Sequence, residues 1–309
     1  MEPEDKLKLI KQLSGLSQEE LARQVGISFV ALNALINGRA KPHKSTAATI
    51  DELYLKYSGE KSISETVLNA KRNIIAIKSK KYKNVLQHII SRKDLLDEII
   101  LKLTYHTNRI EGSTLSENET AAVLFDGAIL PNKTQAEQME AKNHQTAIKY
   151  LFDYLVDDGN VNEKLLLKLH SILLNSIHPE AGIYRQHGVR IMGTNLPTAN
   201  YLSVPKLMKN LMANISNIGA NNTIAYAAKT HAQFEQIHPF ADGNGRIGRL
   251  IIQAILLRNN LVPAIIDQKD KPLYLRYLYV AQTRDDYSLL ENFLSDTVLR
   301  GYEIINSGK

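Results

Sequence analysis

Twelve residues hold most of the reactive chemistry in this chain: His238-Pro239-Phe240-Ala241-Asp242-Gly243-Asn244-Gly245-Arg246-Ile247-Gly248-Arg249. His238 titrates near neutrality and can take a proton from a hydroxyl. Asp242, set beside phosphates, suits Mg²⁺, which takes one or two carboxylates and completes its shell with phosphate oxygens and water. Gly243 and Gly245 have no Cβ, so the backbone can reach φ > 0 and approach a ligand closely. Arg246 and Arg249 are three apart on one helix face, and both can present a planar donor fork to the same polyphosphate. The apolar run behind them (Leu250, Ile251, Ile252, Ala254, Ile255, Leu256, Leu257) has helical spacing. The Gly-Asn-Gly turn therefore sits at a helix N-terminus, where unpaired N–H groups and the macrodipole attract anions. A base, a metal-binding carboxylate, an anion nest that includes Asn244, and two cations predict phosphoryl-type transfer.

The elements around this stretch read as helices. Glu119–Phe125, Gln135–Leu155, Val161–Ser176, Lys206–Ile218, Ile224–Gln236, Leu273–Thr283 and Asp286–Arg300 all repeat apolar residues at helical spacing. The last helix before the motif, Ile224–Gln236, delivers Ile237 and His238 to the loop. His170, on an apolar helix face, reads as a packed core histidine, and no histidine pair has zinc-protease spacing. One segment differs. Val189-Arg190-Ile191-Met192-Gly193 alternates with period two, and Tyr201-Leu202-Ser203-Val204 is expected to return as its hairpin partner.

The motif resembles, at each fixed position, the signature of the Fic family: His-Pro-Phe, two residues, Gly-Asn-Gly-Arg, two residues, Arg. The resemblance spans roughly residues 90–300. It implies a mainly α, Fic-like core with a small β-hairpin flap, and transfer of AMP from ATP, with Mg²⁺, onto a protein hydroxyl. His238 would be the base and Asp242 the Mg²⁺ ligand; Gly243, Asn244, Gly245, Arg246 and Arg249 would bind nucleotide. The flap would be residues Val189, Arg190, Ile191, Met192 and Gly193, and Tyr274 or Tyr277 would lie near the adenine. Thr107, Glu111 and Gly112 resemble the inhibitory motif of self-regulated family members: Ser or Thr, three residues, Glu, then Gly or Asn. That motif implies a helix near 95–112 whose Glu111 pairs with Arg249 and denies it to a nucleotide γ-phosphate. The same Glu111 also admits the opposite reaction, removal of AMP from a modified protein.

The N-terminal quarter is chemically different. Residues 1–83 carry 15 Lys/Arg against 9 Asp/Glu, and the remainder of the chain is balanced. Ser17 and Glu20 have capping-box spacing, Gly26 stops that helix, Ser28 caps a second one, and Asn37-Gly38 stops it. Residues 7–55 resemble the repressor-type helix-turn-helix family, with a further helix at about Thr46–Tyr57. Ser28, Phe29 and Asn33 would face base edges, while Arg39, Lys41 and Lys44 would meet phosphate. Such readers usually pair, which leaves a homodimer open. A protein-docking module and a DNA-binding regulator whose core senses nucleotide are the alternatives.

Bulk composition is that of an ordinary globular protein, 44% hydrophobic and 23% charged over 309 residues. Without cysteine there are no disulfides or thiolate metal sites, and the cytoplasm is the expected compartment. The acidic start lacks the apolar core of a signal peptide, and no apolar run is long enough to span a bilayer, so no membrane partner is expected. The expected domains are a helix-turn-helix at 1–58, a helical linker at 59–90 and a Fic-like catalytic domain at 91–309. A target protein with an exposed hydroxyl, including this chain itself, and DNA are the expected partners.

Overall fold

The computed structural model describes residues 2–59, 61–191, 196–215 and 222–307. Its α-helices are α1 (Pro3–Ser14), α2 (Gln18–Val25), α3 (Phe29–Ile36), α4 (Lys44–Ser58), α5 (Glu65–Ser79), α6 (Val85–Ile90), α7 (Lys93–Glu111), α8 (Glu117–Phe125), α9 (Gln135–Val156), α10 (Glu163–Leu173), α11 (Val204–Ile215), α12 (Thr223–Ile237), α13 (Asn244–Arg258), α14 (Lys271–Arg284) and α15 (Ser288–Ser307). Among the described residues no helix is long and apolar enough to cross a membrane.

The chain divides into two compact units. Met1–Glu65 with Lys269–Leu290 forms the first, and Thr66–Gln268 with Glu291–Lys309 the second. In the first unit, Leu7 and Ile10 of α1, Leu21 and Val25 of α2, Leu32 and Leu35 of α3, and Ile50 of α4 share one core. The expected cap of α2 is present: Ser17 Oγ accepts from Glu20 N at 3.2 Å and Glu20 returns a bond to Ser17 N at 2.8 Å. Helix α1 was not visible from apolar spacing alone. Its signals are Pro3 at the first turn, Glu4 and Asp5 against the macrodipole, and a left-handed Gly15 stop.

The units differ from the domains expected from sequence. Helix α14 belongs with the helix-turn-helix: Leu273 packs on that core, Tyr277 donates to the Lys56 carbonyl at 3.1 Å, and Arg276 donates to the Ser58 carbonyl. The 59–90 segment is not a free linker either. Leu68 and Ile75 of α5 are buried in the second unit. Arg72 grips Glu291 through two bonds, at 2.6 and 2.8 Å.

The expected hairpin is not formed among the described residues. Val189–Ile191 has no regular structure, and Met192 and Gly193 lie outside those residues. The returning limb is a 3-10 turn, Tyr201–Ser203, that runs straight into α11. Asn200 caps that turn by accepting from Leu202 N at 3.0 Å. Pro205 sits in the first turn of α11, where its missing N–H costs nothing. Thr198 Oγ1 donates to the Val189 carbonyl at 3.1 Å, tying the two limbs.

Leu32 is fully buried at the centre of the first unit. Leu32→Ala is expected to cost about 2–5 kcal/mol in urea denaturation followed by circular dichroism. A cost below about 1 kcal/mol would contradict this packing.

Candidate active site

Helix α12 ends at His238, which is left-handed at φ 51° and ψ 62°. That conformation is unusual for a non-glycine residue and needs support from its surroundings. Arg185 supplies it. Its guanidinium, in a residue 2% exposed, donates to the carbonyls of His238 (2.7 Å), Ile237 (3.3 Å), His187 (2.8 Å) and Ala199 (2.6 Å). Its own N–H donates to the Pro239 carbonyl at 3.0 Å. The His238 ring is then fixed: Nδ1 lies 3.3 Å from the Glu235 carbonyl, which can only accept. Nδ1 therefore carries the proton, and Nε2 is left as the basic nitrogen. Burial lowers the His238 pKa below the usual histidine value.

The loop after His238 is braced from inside. Phe240 is fully buried and stacks on His170 at 3.7 Å between ring centroids. His170 Nδ1 accepts from Gly182 N at 2.8 Å, so its Nε2 carries the proton and donates to the Asp242 carbonyl at 3.0 Å. Asn244 was expected to help line an anion nest. Its side chain instead clasps Phe240, accepting from its N–H and donating to its carbonyl, both at 2.9 Å. With both amide groups engaged, Asn244 shapes the loop, and only its backbone N–H is available to the nest.

Gly243 is left-handed at φ 76° and opens α13. Over this first turn sits the Glu111 carboxylate. A Cβ on Gly245 would lie 2.5 Å from Glu111 Oε1, so a side chain there would displace the carboxylate. Glu111 is the last residue of α7, which Gly112 stops in the left-handed conformation at φ 108°. Glu111 Oε1 pairs with Arg249 Nη2, and Arg249 Nε donates to Thr107 Oγ1 at 2.5 Å. Arg246, 3% exposed, is held by Glu140 at 2.8 Å and faces Asp242 at 3.4 Å.

Asp242 points outward, its side chain 54% exposed. Oδ1 accepts from Gly243 N at 2.6 Å, and each carboxylate oxygen keeps lone pairs toward solvent. One exposed carboxylate at a helix N-terminus fits Mg²⁺ shared with phosphate oxygens. Among the described residues no group of three or more His, Cys, Asp or Glu side chains would hold a metal on its own.

Behind this surface lies a set of buried titratable groups. Burial, with the Arg249 charge next, lowers His144 and His231 to about 3. Burial lowers His170 to about 4 and raises Glu235 to about 8. The structure thus gathers His238, Asp242, Gly243, Asn244, Gly245, Arg246, Arg249 and Glu111 in one place. Tyr274 and Tyr277 belong to the first unit, where both are buried and Tyr277 is bonded to Lys56. Ser28, Phe29, Asn33 and Arg39 are exposed on and just after α3, although Ser28 caps the helix and Asn33 accepts from Asn37. Val189, Arg190 and Ile191 are described but form no strand. Arg185, Glu140 and Glu235 were missed. The available signals were an Arg after Gly-Ile-Tyr and a Glu three residues before the histidine.

Comparison with known proteins agrees with this arrangement. Residues 160–256 match the Fic/DOC family, and residues 7–54 match a helix-turn-helix family. A protein adenylyltransferase Fic of Drosophila ananassae is 28% identical over 239 residues, covering 72% of this chain and 48% of that protein. The Caenorhabditis briggsae protein adenylyltransferase fic-1 is 30% identical over 204 residues, 65% of this chain and 40% of that protein. The chain thus spans about half or less of the length of these curated relatives. Among solved structures, a Fic-domain signalling protein of Bacteroides thetaiotaomicron superposes with a TM-score of 0.67 at 23% identity, over 77% of this chain and 97% of that one. A Fic family protein of Desulfovibrio desulfuricans gives 0.64 at 26% identity, over 80% and 76%.

The buried histidines make stability depend on pH. Their folded pKa values lie below the ordinary histidine value of 6.5, so the unfolded chain binds more protons below that point. Their stabilisation is complete above about pH 6.5 and is lost as pH falls toward 4 and below. Glu235 acts oppositely: its raised value stabilises on acidification between 8 and 4.5. With three histidines against one carboxyl, the urea midpoint is expected to fall from pH 6.5 to pH 5. A flat or rising midpoint would contradict the neutral, buried state of these rings.

Proposed function

We propose that this chain, which carries a Fic/DOC domain and a helix-turn-helix, transfers AMP from ATP to a Ser, Thr or Tyr hydroxyl of a protein. The observation that carries the proposal is the His238 ring held through Nδ1 by the Glu235 carbonyl, which leaves Nε2 as the basic nitrogen in the loop that leads into α13. The incoming hydroxyl oxygen bonds to the α-phosphorus, its proton passes to His238 Nε2, and the α–β anhydride bond breaks to release pyrophosphate. The N–H groups that open α13 bind the phosphates. Arg246, pre-positioned by Glu140, offsets their charge. Asp242 would hold Mg²⁺, which neutralises charge on the phosphate oxygens when bound.

In the described state Glu111 holds Arg249 and covers the first turn of α13. We read this as a restrained enzyme. A charge-assisted contact of about 2–3 kcal/mol would leave roughly a few per cent or less of the chains competent. Removal of Glu111 frees Arg249 for the γ-phosphate. The Glu111→Gly protein, given ATP labelled at the α-phosphate, is expected to label itself or a lysate protein roughly 10–100-fold more than the unmodified chain. Glu111→Gly with His238→Ala is expected to give no label. Equal labelling by the Glu111→Gly protein and the unmodified chain would sink the restraint.

The first unit supports a second partner, DNA, and with it a cytoplasmic setting and binding as a dimer. Residues 1–83 hold the chain's excess positive charge, and Ser28, Phe29, Asn33 and Arg39 are exposed together. In a gel shift on the DNA upstream of its own gene, binding is expected to weaken at least about tenfold between about 50 and 200 mM salt. Absence of salt-sensitive binding would leave the unit as a protein-docking module.

A further inference from the structure

We propose that Glu235 is a positioning residue for His238: its backbone carbonyl fixes the ring, and its buried carboxylate, once ionised, strengthens that ring as a base. The kinetic side of this inference rests on the adenylyltransferase reading. Its spectroscopic side does not.

Glu235 and His238 are three apart at the end of α12. Because His238 is left-handed, its ring folds back along the last turn, with Nδ1 3.3 Å from the Glu235 carbonyl and 3.8 Å from Glu235 Oε2. A single residue thus sets two acceptors against one ring nitrogen. The carbonyl holds the tautomer, and the carboxyl acts on the same edge through its charge. A glutamate at this spacing on a surface helix would reach into solvent, yet this residue is 6% exposed. Among the described residues Oε1 has no hydrogen-bond partner. It lies 2.5 Å from where a Cβ on Gly248 would be, so any side chain at 248 would displace it. The fold therefore reserves space for a buried carboxyl group that it does not neutralise with a hydrogen bond at Oε1. Such an arrangement is costly to stability and is found where the group serves chemistry.

Charged and titratable neighbours face this carboxyl from three helices. His231 and His238 come from α12, Arg249 from α13 and Glu111 from α7, while Arg185 faces His238. Burial and Glu111 favour the neutral acid, Arg249 favours the carboxylate, and burial prevails, with a value of about 8. The acid is therefore neutral near pH 7 and ionised above about 8. When Nε2 takes a proton, the imidazolium gains a negative neighbour 3.8 Å from Nδ1 only if Glu235 is ionised. Base strength should then step up as pH passes that ionisation.

The test compares the full-length Glu111→Gly protein with Glu111→Gly plus Glu235→Gln, in AMP transfer from α-labelled ATP at pH 6 and pH 9. Glu235→Gln resembles the neutral acid, so the expected loss is under about twofold at pH 6 and about tenfold at pH 9. A loss of equal size at both pH values, or none, overturns the proposal. In parallel, the ¹⁵N shifts of His238 Nδ1 and Nε2 are followed from pH 6 to pH 9.5 in both proteins without ATP. A step above the ring's own titration that disappears in Glu235→Gln supports the proposal, and a step of equal size in both overturns it. If neither protein transfers label at any pH, the adenylyltransferase reading fails, and the ¹⁵N titration alone decides the role of Glu235.

Discussion

Arg249 carries a full positive charge in a residue 5% exposed, and its neighbourhood is arranged to tolerate it. A buried guanidinium needs acceptors on its nitrogens and no competing cation nearby. Thr107 supplies a hydroxyl to Nε, and Glu111 supplies a carboxylate to Nη2. Two histidines that could have become cations, His144 and His231, are kept neutral by burial and by Arg249 itself. Much of the remaining geometry follows. Helix α7 must end where its last side chain reaches α13, so Gly112 stops it. A side chain at Gly245 would push against the partner carboxylate, which occupies that space.

This constraint explains why parts of the site were legible in the sequence and others were not. His238, Asp242, Arg246 and Arg249 fall within twelve residues whose spacing along a loop and a helix start settles their relative positions. Glu111 is 138 residues from Arg249, and only its short motif pointed to it. Arg185 and Glu140 act across gaps of 53 and 106 residues, and composition does not separate a buried Arg or Glu from a solvated one. Asn244 failed for a different reason. Its side chain chose its own backbone four residues back, a competition that depends on loop dihedrals and leaves no spacing signature. The hairpin is not formed among the described residues; alternation over five residues is weak evidence against a proline placed to open a helix.

Domain boundaries were the least legible feature. A polar break at Ser58-Gly59 suggested a clean division, but α14, some 210 residues later, completes the first unit. Its tyrosines carry the lesson. Tyr274 and Tyr277 looked available for stacking on a base, yet an aromatic at helical spacing is equally suited to a core, and here both are core. What identifies the helix's destination is Tyr277 bonding to Lys56 and Arg276 to Ser58, contacts between segments that sequence order keeps far apart.

The first turn of α13 can serve only one anion at a time. The N–H groups that open the helix and the Arg249 guanidinium form a single attractive field, and a carboxylate or a phosphate answers to it by the same physics. Glu111 has the advantage of attachment: it is delivered by the end of a rigid helix and gives up little freedom on binding. Under the proposed function a nucleotide would have the advantage of charge, since several phosphate oxygens would engage Arg246, Arg249 and the helix start together. The Glu111 side chain is 39% exposed, so solvent screens part of its grip on Arg249. A half-exposed carboxylate can swing toward solvent with little repacking of the core, but doing so takes a carboxylate partner away from the buried Arg249, whose guanidinium then needs another anion in its place.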